Sequence, residues 1–283
     1  MTMSTELSAS IARTAELLHG KRIALLTGAG ISTDSGIPAY RGEGAPARTD
    51  PMTVQRYLAD EAARRRYWIG GHLGWRAFAR AEPNAGHIAL AEMEREGVVT
   101  GVITQNVDGL HLRAGSSHVI EVHGTMRRVI CLQCGQVFDR RDIAGQIEEL
   151  NPWITVPESI ELNPDGDVTP ATADGFVVPV CTVCAGMLKP DVVFFGEYIP
   201  GDRFRAAESL LRASSALIVA GSSLVVNSGI RLVDRARRRG IPLVIVNREP
   251  TKADAWADVT LSGGASEILS ALQEQLTDTE RTD

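Results

Sequence analysis

Apolar positions along the chain fall into two patterns. Between Ser4 and Leu18 they recur at Leu7, Ile11, Ala15 and Leu18, the spacing of one helix face. Directly after comes Arg22-Ile23-Ala24-Leu25-Leu26-Thr27, an apolar run that enters glycine at once, as a strand buried on both sides does. Similar runs at Val98–Thr104, Val119–Val122, Ala216–Ala220 and Leu243–Val246 predict further strands. Helical stretches between most of them, including Gly86–Glu96 and Ile230–Arg239, predict the crossovers. The alternation predicts an α/β fold, a Rossmann-like doubly wound parallel sheet.

Two stretches break the alternation. Residues 50–81 are helix-forming and carry Arg64, Arg65 and Arg66 beside Tyr67, Trp68 and Trp75. Residues 126–188 hold all four cysteines and a loop rich in Pro, Asp and Gly from Asn151 to Asp174. Both read as insertions that build a smaller lobe: a helical insert at 50–81 and a zinc-binding module at 126–188. Residues 1–49, 82–125 and 189–283 then form a discontinuous nucleotide-binding domain. Thr277–Asp283 reads as a polar tail.

The cysteines form two Cys-x-x-Cys pairs, Cys131/Cys134 and Cys181/Cys184. Four thiolates so spaced suit a structural Zn²⁺, with no position left open for substrate. The alternative is two disulfides or unrelated core thiols. The 46 residues between the pairs exceed what a compact ribbon needs and predict an extra loop. A formal charge of −6 argues against a nucleic-acid or anionic-membrane partner. No run is long and apolar enough to span a bilayer, and the start, with Glu6 and Glu16, lacks the basic and apolar stretches of an export signal. With 44% hydrophobic residues over 283 positions, the expectation is a cytoplasmic enzyme with a sizeable core.

The first strand runs into Gly28-Ala29-Gly30-Ile31-Ser32-Thr33-Asp34-Ser35-Gly36-Ile37-Pro38. Gly28 and Gly30 let the backbone turn sharply and approach a diphosphate. The usual dinucleotide fingerprint would place a third glycine where Thr33 stands and an acidic residue about 20 positions on, for which there is no convincing candidate. A hydride-transferring dehydrogenase therefore fits poorly. Three further groups sit at strand ends, where open α/β sheets bind ligands: Thr104-Gln105-Asn106-Val107-Asp108-Gly109-Leu110-His111, Gly221-Ser222-Ser223, and Asn247. Each alone reads as a turn or cap. Together they favour a nucleotide.

These segments resemble the sirtuins. So do Gly36-Ile37-Pro38-Ala39-Tyr40-Arg41, Glu121-Val122-His123-Gly124, Lys189-Pro190-Asp191-Val192-Val193-Phe194-Phe195-Gly196-Glu197 and Gly221-Ser222-Ser223-Leu224, in order from about Lys21 to Leu269. Arg48-Thr49-Asp50, Arg66-Tyr67-Trp68 and Pro164-Asp165-Gly166-Asp167-Val168 resemble the class II branch, which has a mitochondrial member. The resemblance implies an NAD-dependent protein-lysine deacylase. The acyl-lysine oxygen attacks the nicotinamide ribose, nicotinamide leaves, and the acyl group passes to ADP-ribose.

His123 matches the family's general base, a task imidazole suits near neutral pH. Asn106 and Asp108 match the nicotinamide pocket, Gln105 and Arg41 ribose or phosphate contacts, and Tyr40 the ring that shields the intermediate. Ala29 and Ser32 match the phosphate loop, while Gly221, Ser222, Ser223, Asn247 and Ala265 match the adenosine end. Gly196, Glu197, Val225 and Val226 match the segments between which a substrate peptide lies extended; Val193 and Phe194 match the acyl-lysine tunnel. His87 and His111 read as structural. Nothing sets the oligomeric state. The same pocket could serve a protein mono-ADP-ribosyltransferase, in which a protein nucleophile intercepts the ribose.

The chain departs from the family at Ala39, where aspartate is common, and at Ser228, where proline is usual. The Tyr-x-x-Arg pair that receives a succinyl carboxylate is missing from Trp68-Ile69-Gly70-Gly71-His72-Leu73-Gly74. Weak activity on succinyl-lysine is expected, and Gly70, Gly71 and Gly74 are expected to leave room for longer acyl groups.

Overall fold

The structure, a computed structural model, describes residues 4–41, 45, 51–155, 160–170 and 172–277. Arg48-Thr49-Asp50 and the end of the polar tail lie outside them. From the amino end, α1 (Thr5–Leu18) leads into β1 (Ile23–Thr27). Then follow α2 (Val54–Ala59), α3 (Glu61–Arg80), α4 (Ala85–Arg95), β2 (Val99–Thr104), α5 (Leu110–Arg113) and β3 (Val119–Glu121). The middle of the chain forms β4 (Gly124–Cys131), β5 (Val137–Asp139), α6 (Arg140–Leu150) and β6 (Leu188–Val192). The remainder is α7 (Gly201–Arg212), β7 (Ala216–Ala220), α8 (Asn227–Arg238), β8 (Leu243–Asn247), β9 (Val259–Ser262) and α9 (Ala265–Thr277).

The apolar runs become the middle of a parallel sheet ordered β3-β2-β1-β7-β8-β9. Every residue of β1 and β7 is buried, as expected for strands covered on both faces. α1, α4 and α9 cover one face through Ile11, Leu18, Leu90, Met93, Ile268 and Leu272. α7 and α8 cover the other through Ala207, Leu211, Leu232, Val233 and Ala236. Within this sheet the chain runs outward from β1 in one direction and from β7 in the other. The switch point therefore lies between β1 and β7, and their carboxyl ends open a crevice there.

A second sheet, antiparallel and ordered β5-β4-β6, carries the cysteine module. Its core joins Val129, Ile143, Ile147, Phe176 and Leu188 to Trp68 and Ile69 of α3. The residues between Cys134 and Cys181 include β5, α6 and, among the described residues, loop segments at 151–155, 160–170 and 172–180. Arg140 of α6 is buried between Trp68 and Trp75, and its guanidinium donates to Gly71 O at 3.1 Å.

The glycines of α3 do not leave room for acyl groups, contrary to the sequence expectation. A Cβ on Gly70 would lie 2.3 Å from Val168 O, and one on Gly74 2.2 Å from Gly166 O. The backbone of the 160–170 loop occupies that space, with Val168 N donating to Gly70 O at 3.2 Å. Gly71 faces the Arg140 guanidinium. These glycines seat the loop on α3, and the loop lines the cleft together with Ala63, Arg66, Tyr67 and Phe78 of the helix, whereas the three glycines do not.

Candidate active site

One cleft of about 1870 Å³ opens at the carboxyl ends of β1 and β7, between the large sheet and the small lobe. Gly28, Ala29, Gly30 and Ser32 line it from the loop after β1; Gly221, Ser222 and Ser223 line it from the loop after β7. Those two loops touch. Gly30 N donates to Gly221 O at 2.8 Å, and a Cβ on Gly28 would lie 2.8 Å from both Gly221 O and the Ser222 Cβ. Gly221 has φ +64°, and a side chain there would lie 2.3 Å from Ile31 N. The glycines are thus required by loop-against-loop packing, which also leaves backbone exposed to a ligand.

The loop after β2 supplies the polar floor. The Asn106 amide donates to Gly28 O at 3.2 Å and to Ser32 Oγ at 3.0 Å, and Ser32 Oγ donates to Asp108 Oδ2 at 2.8 Å. Asp108 Oδ1 accepts from Leu110 N at 2.9 Å, so the carboxylate is fixed from both sides. Burial nevertheless pushes its pKa above the ordinary carboxylate range.

His123 follows β3 and is half-buried against the cleft. Its Nδ1 lies 2.9 Å from Gln105 O, a carbonyl that can only accept, so Nδ1 carries the proton and Nε2 the lone pair. Ser228 Oγ donates to that Nε2 at 2.9 Å. Gln105 ties the arrangement together: Ser222 Oγ donates to its Oε1 at 2.6 Å, and its Nε2 reaches Ser228 Oγ at 3.5 Å. Burial lowers the His123 pKa, while the bond to Gln105 O acts in the opposite direction. Burial thus favours the neutral imidazole, and Nε2 is held at the cleft.

The remaining sequence candidates line the same cleft: Tyr40, Arg41, Asn247 and Ala265 on one side, and Val193, Phe194, Gly196, Glu197, Val225 and Val226 on the other. Val193 N donates to His123 O at 2.8 Å, which joins that wall to the histidine. The Glu197 carboxylate is already engaged, accepting from Phe194 N at 2.9 Å and from buried Lys189 at 3.1 Å. His87 and His111 lie outside the cleft, buried with ring centroids 4.8 Å apart.

Two acids of the 160–170 loop, Asp165 and Asp167, also line the cleft, and the Tyr40 hydroxyl donates to Asp165. Burial raises both carboxyls, Asp167 to about 6, with the Asp165 charge adding to the effect. In the sequence this stretch read as part of the module's extra loop and as a sign of family branch, with no role at the cleft. Its seating in the cleft depends on α3, more than 80 residues earlier in the chain.

The four cysteines form a separate cluster in the small lobe, all sulfurs within 4.8 Å of one another. Cys131 Sγ lies 3.5 Å from Cys184 Sγ, and Cys134 Sγ lies 3.7 Å from Cys181 Sγ. A tetrahedral zinc with bonds near 2.3 Å sets its sulfurs about 3.8 Å apart, whereas a disulfide needs about 2.05 Å. Each pair turns through a left-handed residue, Gly135 at φ +75° and Ala185 at φ +57°. A Cβ on Gly186 would lie 3.0 Å from two of the sulfurs. The donor set fits zinc.

A parallel sheet with a switch-point cleft, a half-buried histidine in that cleft and a second lobe whose four cysteines fit a metal define an α/β nucleotide-binding class of protein. A model of the Sir2 family matches residues 28–228. An NAD-dependent protein deacetylase 1 of Mycobacterium avium is 51% identical over 264 residues, covering 92% of this chain and 93% of the relative. The mitochondrial NAD-dependent protein lipoamidase sirtuin-4 of Bos taurus is 42% identical over 255 residues, covering 88% and 81%. Among solved structures, a Sir2 protein with a p53 peptide and NAD+ superposes with TM-score 0.77 at 32% identity, covering 93% of this chain and 97% of that one. The chain belongs to the Sir2 family. No described helix is long and apolar enough to cross a membrane.

Proposed function

We propose that this chain is an NAD-dependent protein-lysine deacylase. The observation that carries the reading is His123. Its tautomer is fixed by Gln105 O, and its Nε2 lone pair shares one cleft with both glycine loops and the wall at 193–197. NAD, when bound, supplies a ribose–nicotinamide bond whose cleavage leaves ADP-ribose to receive the acyl group. In this chain Ala29, Ser32, Tyr40 and Arg41 hold the diphosphate and ribose region; Gly221, Ser222, Ser223, Asn247 and Ala265 hold the adenosine end. Asn106 and Asp108 hold the nicotinamide end, already locked to each other through Ser32. His123 Nε2 takes a proton from a ribose hydroxyl. Val193 and Phe194 flank the acyl-lysine, and Gly196, Glu197, Val225 and Val226 flank its backbone. The zinc staples the small lobe and stands apart from the chemistry. Thiolate ligands suit a reducing compartment such as the cytoplasm. Residues 50–81 and 126–188 form the small lobe on the NAD-binding segments 1–49, 82–125 and 189–283.

The reading is tested by nicotinamide release from NAD in the presence of acetyl-, longer-acyl- and succinyl-lysine peptides. Release that depends on an acyl-lysine peptide supports it; release without deacylation, with ADP-ribose added to protein, favours a transferase. Succinyl-lysine is expected to be a poor substrate, because its carboxylate would enter a cleft lined by Asp165 and Asp167. Asp167→Asn is expected to narrow the gap between acetyl and succinyl turnover severalfold. An unchanged ratio would remove Asp167 from the account.

Ser228 sets a second expectation. Burial lowers the His123 pKa, and the Ser228 hydroxyl donates to the neutral ring, a bond that favours the unprotonated form. A base must be deprotonated to act, so activity falls as pH drops through that pKa. In Ser228→Ala the neutral form loses its donor and the acid limb of kcat/KM is expected to move to higher pH by about half to one unit. Ser228→Thr is expected to restore it. A change in kcat with an unmoved acid limb would contradict the role.

A further inference from the structure

The cleft does not end at the segments around Glu197 and Val226. It continues between α7 and α8, lined by Phe204, Arg205, Glu208, Arg231 and Arg235. Phe204 gathers the cations: the Arg231 guanidinium carbon lies 4.5 Å from its ring centroid and that of Arg235 lies 5.7 Å away. Such stacking holds long side chains against one surface and leaves their charged ends in solvent. Arg235 is ion-paired with Glu208. Arg205 and Arg231 are exposed and have no carboxylate partner among the described residues. Glu197, the acid on the adjoining wall, is held by Lys189. On a chain of formal charge −6, one end of the cleft thus carries two cations with no ion-pair partner among the described residues, beside the Arg235–Glu208 pair.

We propose that this basic extension receives acidic residues flanking the acyl-lysine, so that the preferred protein substrates carry Asp or Glu on the side that runs over α7 and α8. The inference rests on the deacylase reading for the identity of the peptide, but the surface is defined by its own residues. Exposed charge pairs are individually weak and are screened by salt, so the effect belongs in peptide affinity and at low ionic strength.

The test uses fluorescent acyl-lysine peptides of equal length: two Glu on the amino side, two Glu on the carboxyl side, and Gln or Lys counterparts of each. Affinity is read by anisotropy on the full chain. One Glu peptide is expected to bind about three- to tenfold more tightly than its Gln counterpart at low salt, and the advantage to vanish near about 0.5 M salt. In the Arg205→Glu/Arg231→Glu double variant the preference is expected to turn toward the Lys peptide. Equal binding of Glu and Gln peptides by the unaltered chain, or a preference that survives the double reversal, overturns the proposal. Turnover of the Gln peptide with NAD is scored separately. Its absence would count against the deacylase reading while the binding ratios still decide the inference.

Discussion

Replacing His123 with alanine is expected to reduce deacylation by about 10²–10⁴-fold, the range over which a positioned general base contributes. The expectation follows from how tightly the ring is specified. Gln105 O fixes the proton on Nδ1, Val193 N binds the histidine's own carbonyl, and Ser228 addresses Nε2, so the basic nitrogen has one orientation. Removing the ring removes the proton acceptor but little of the core, because His123 is half-buried at the cleft rather than packed in either helix-covered face of the sheet. Thermal unfolding of the variant is therefore expected to stay close to that of the parent. Peptide turnover read beside a melting curve checks both halves. A variant that folds and retains most of its turnover would place the base elsewhere.

Stripping zinc, or replacing Cys131 with serine, is expected to disorder the small lobe and abolish turnover with it. Cys131 and Cys181 are buried among Trp68, Val129, Ile143 and Phe176, so the sulfur cluster forms part of the lobe's core. Free energies of about 10–16 kcal/mol tie structural zinc to the folded state of small zinc domains, more than a lobe of this size can replace from its apolar core. Its loss would also reach the cleft. Tyr67 on α3 and Phe194 on the substrate wall pack with ring centroids 5.1 Å apart, and the 160–170 loop is seated on the same helix. Metal analysis, near-ultraviolet circular dichroism and turnover, followed through chelation and zinc return, check the sequence of events. A zinc-free chain with native packing and full turnover would contradict it.

The strands of the large sheet were legible where both faces are buried. Ile23–Thr27 and Ala216–Ala220 are apolar throughout because no position faces water. β9 was not, since Val259-Thr260-Leu261-Ser262 is an edge strand in which only Leu261 is buried, and nothing in so short a stretch outweighs a loop reading. β4 was hidden for another reason: its two ends pair with β6 across a register shift, and the partner lies more than 50 residues away. The spacing of the four cysteines marked a candidate zinc site in the sequence, while only the fold shows that all four sulfurs lie within 4.8 Å of one another. The glycines of α3 show the opposite case. A run of Gly70, Gly71 and Gly74 indicates that something approaches the helix, but only the fold shows that it is the backbone of residues 166 and 168 rather than a ligand. Ser228 was visible as a departure from the family; its contact with His123 is 105 positions distant and became visible only in three dimensions.

The most direct test of the central claim is mass spectrometry of the products formed from NAD and an acetyl-lysine peptide. The account predicts nicotinamide, free-lysine peptide and O-acetyl-ADP-ribose in equal amounts, all three lost together in His123→Ala. Free acetate as the sole acyl product, formed without consumption of NAD, would contradict it.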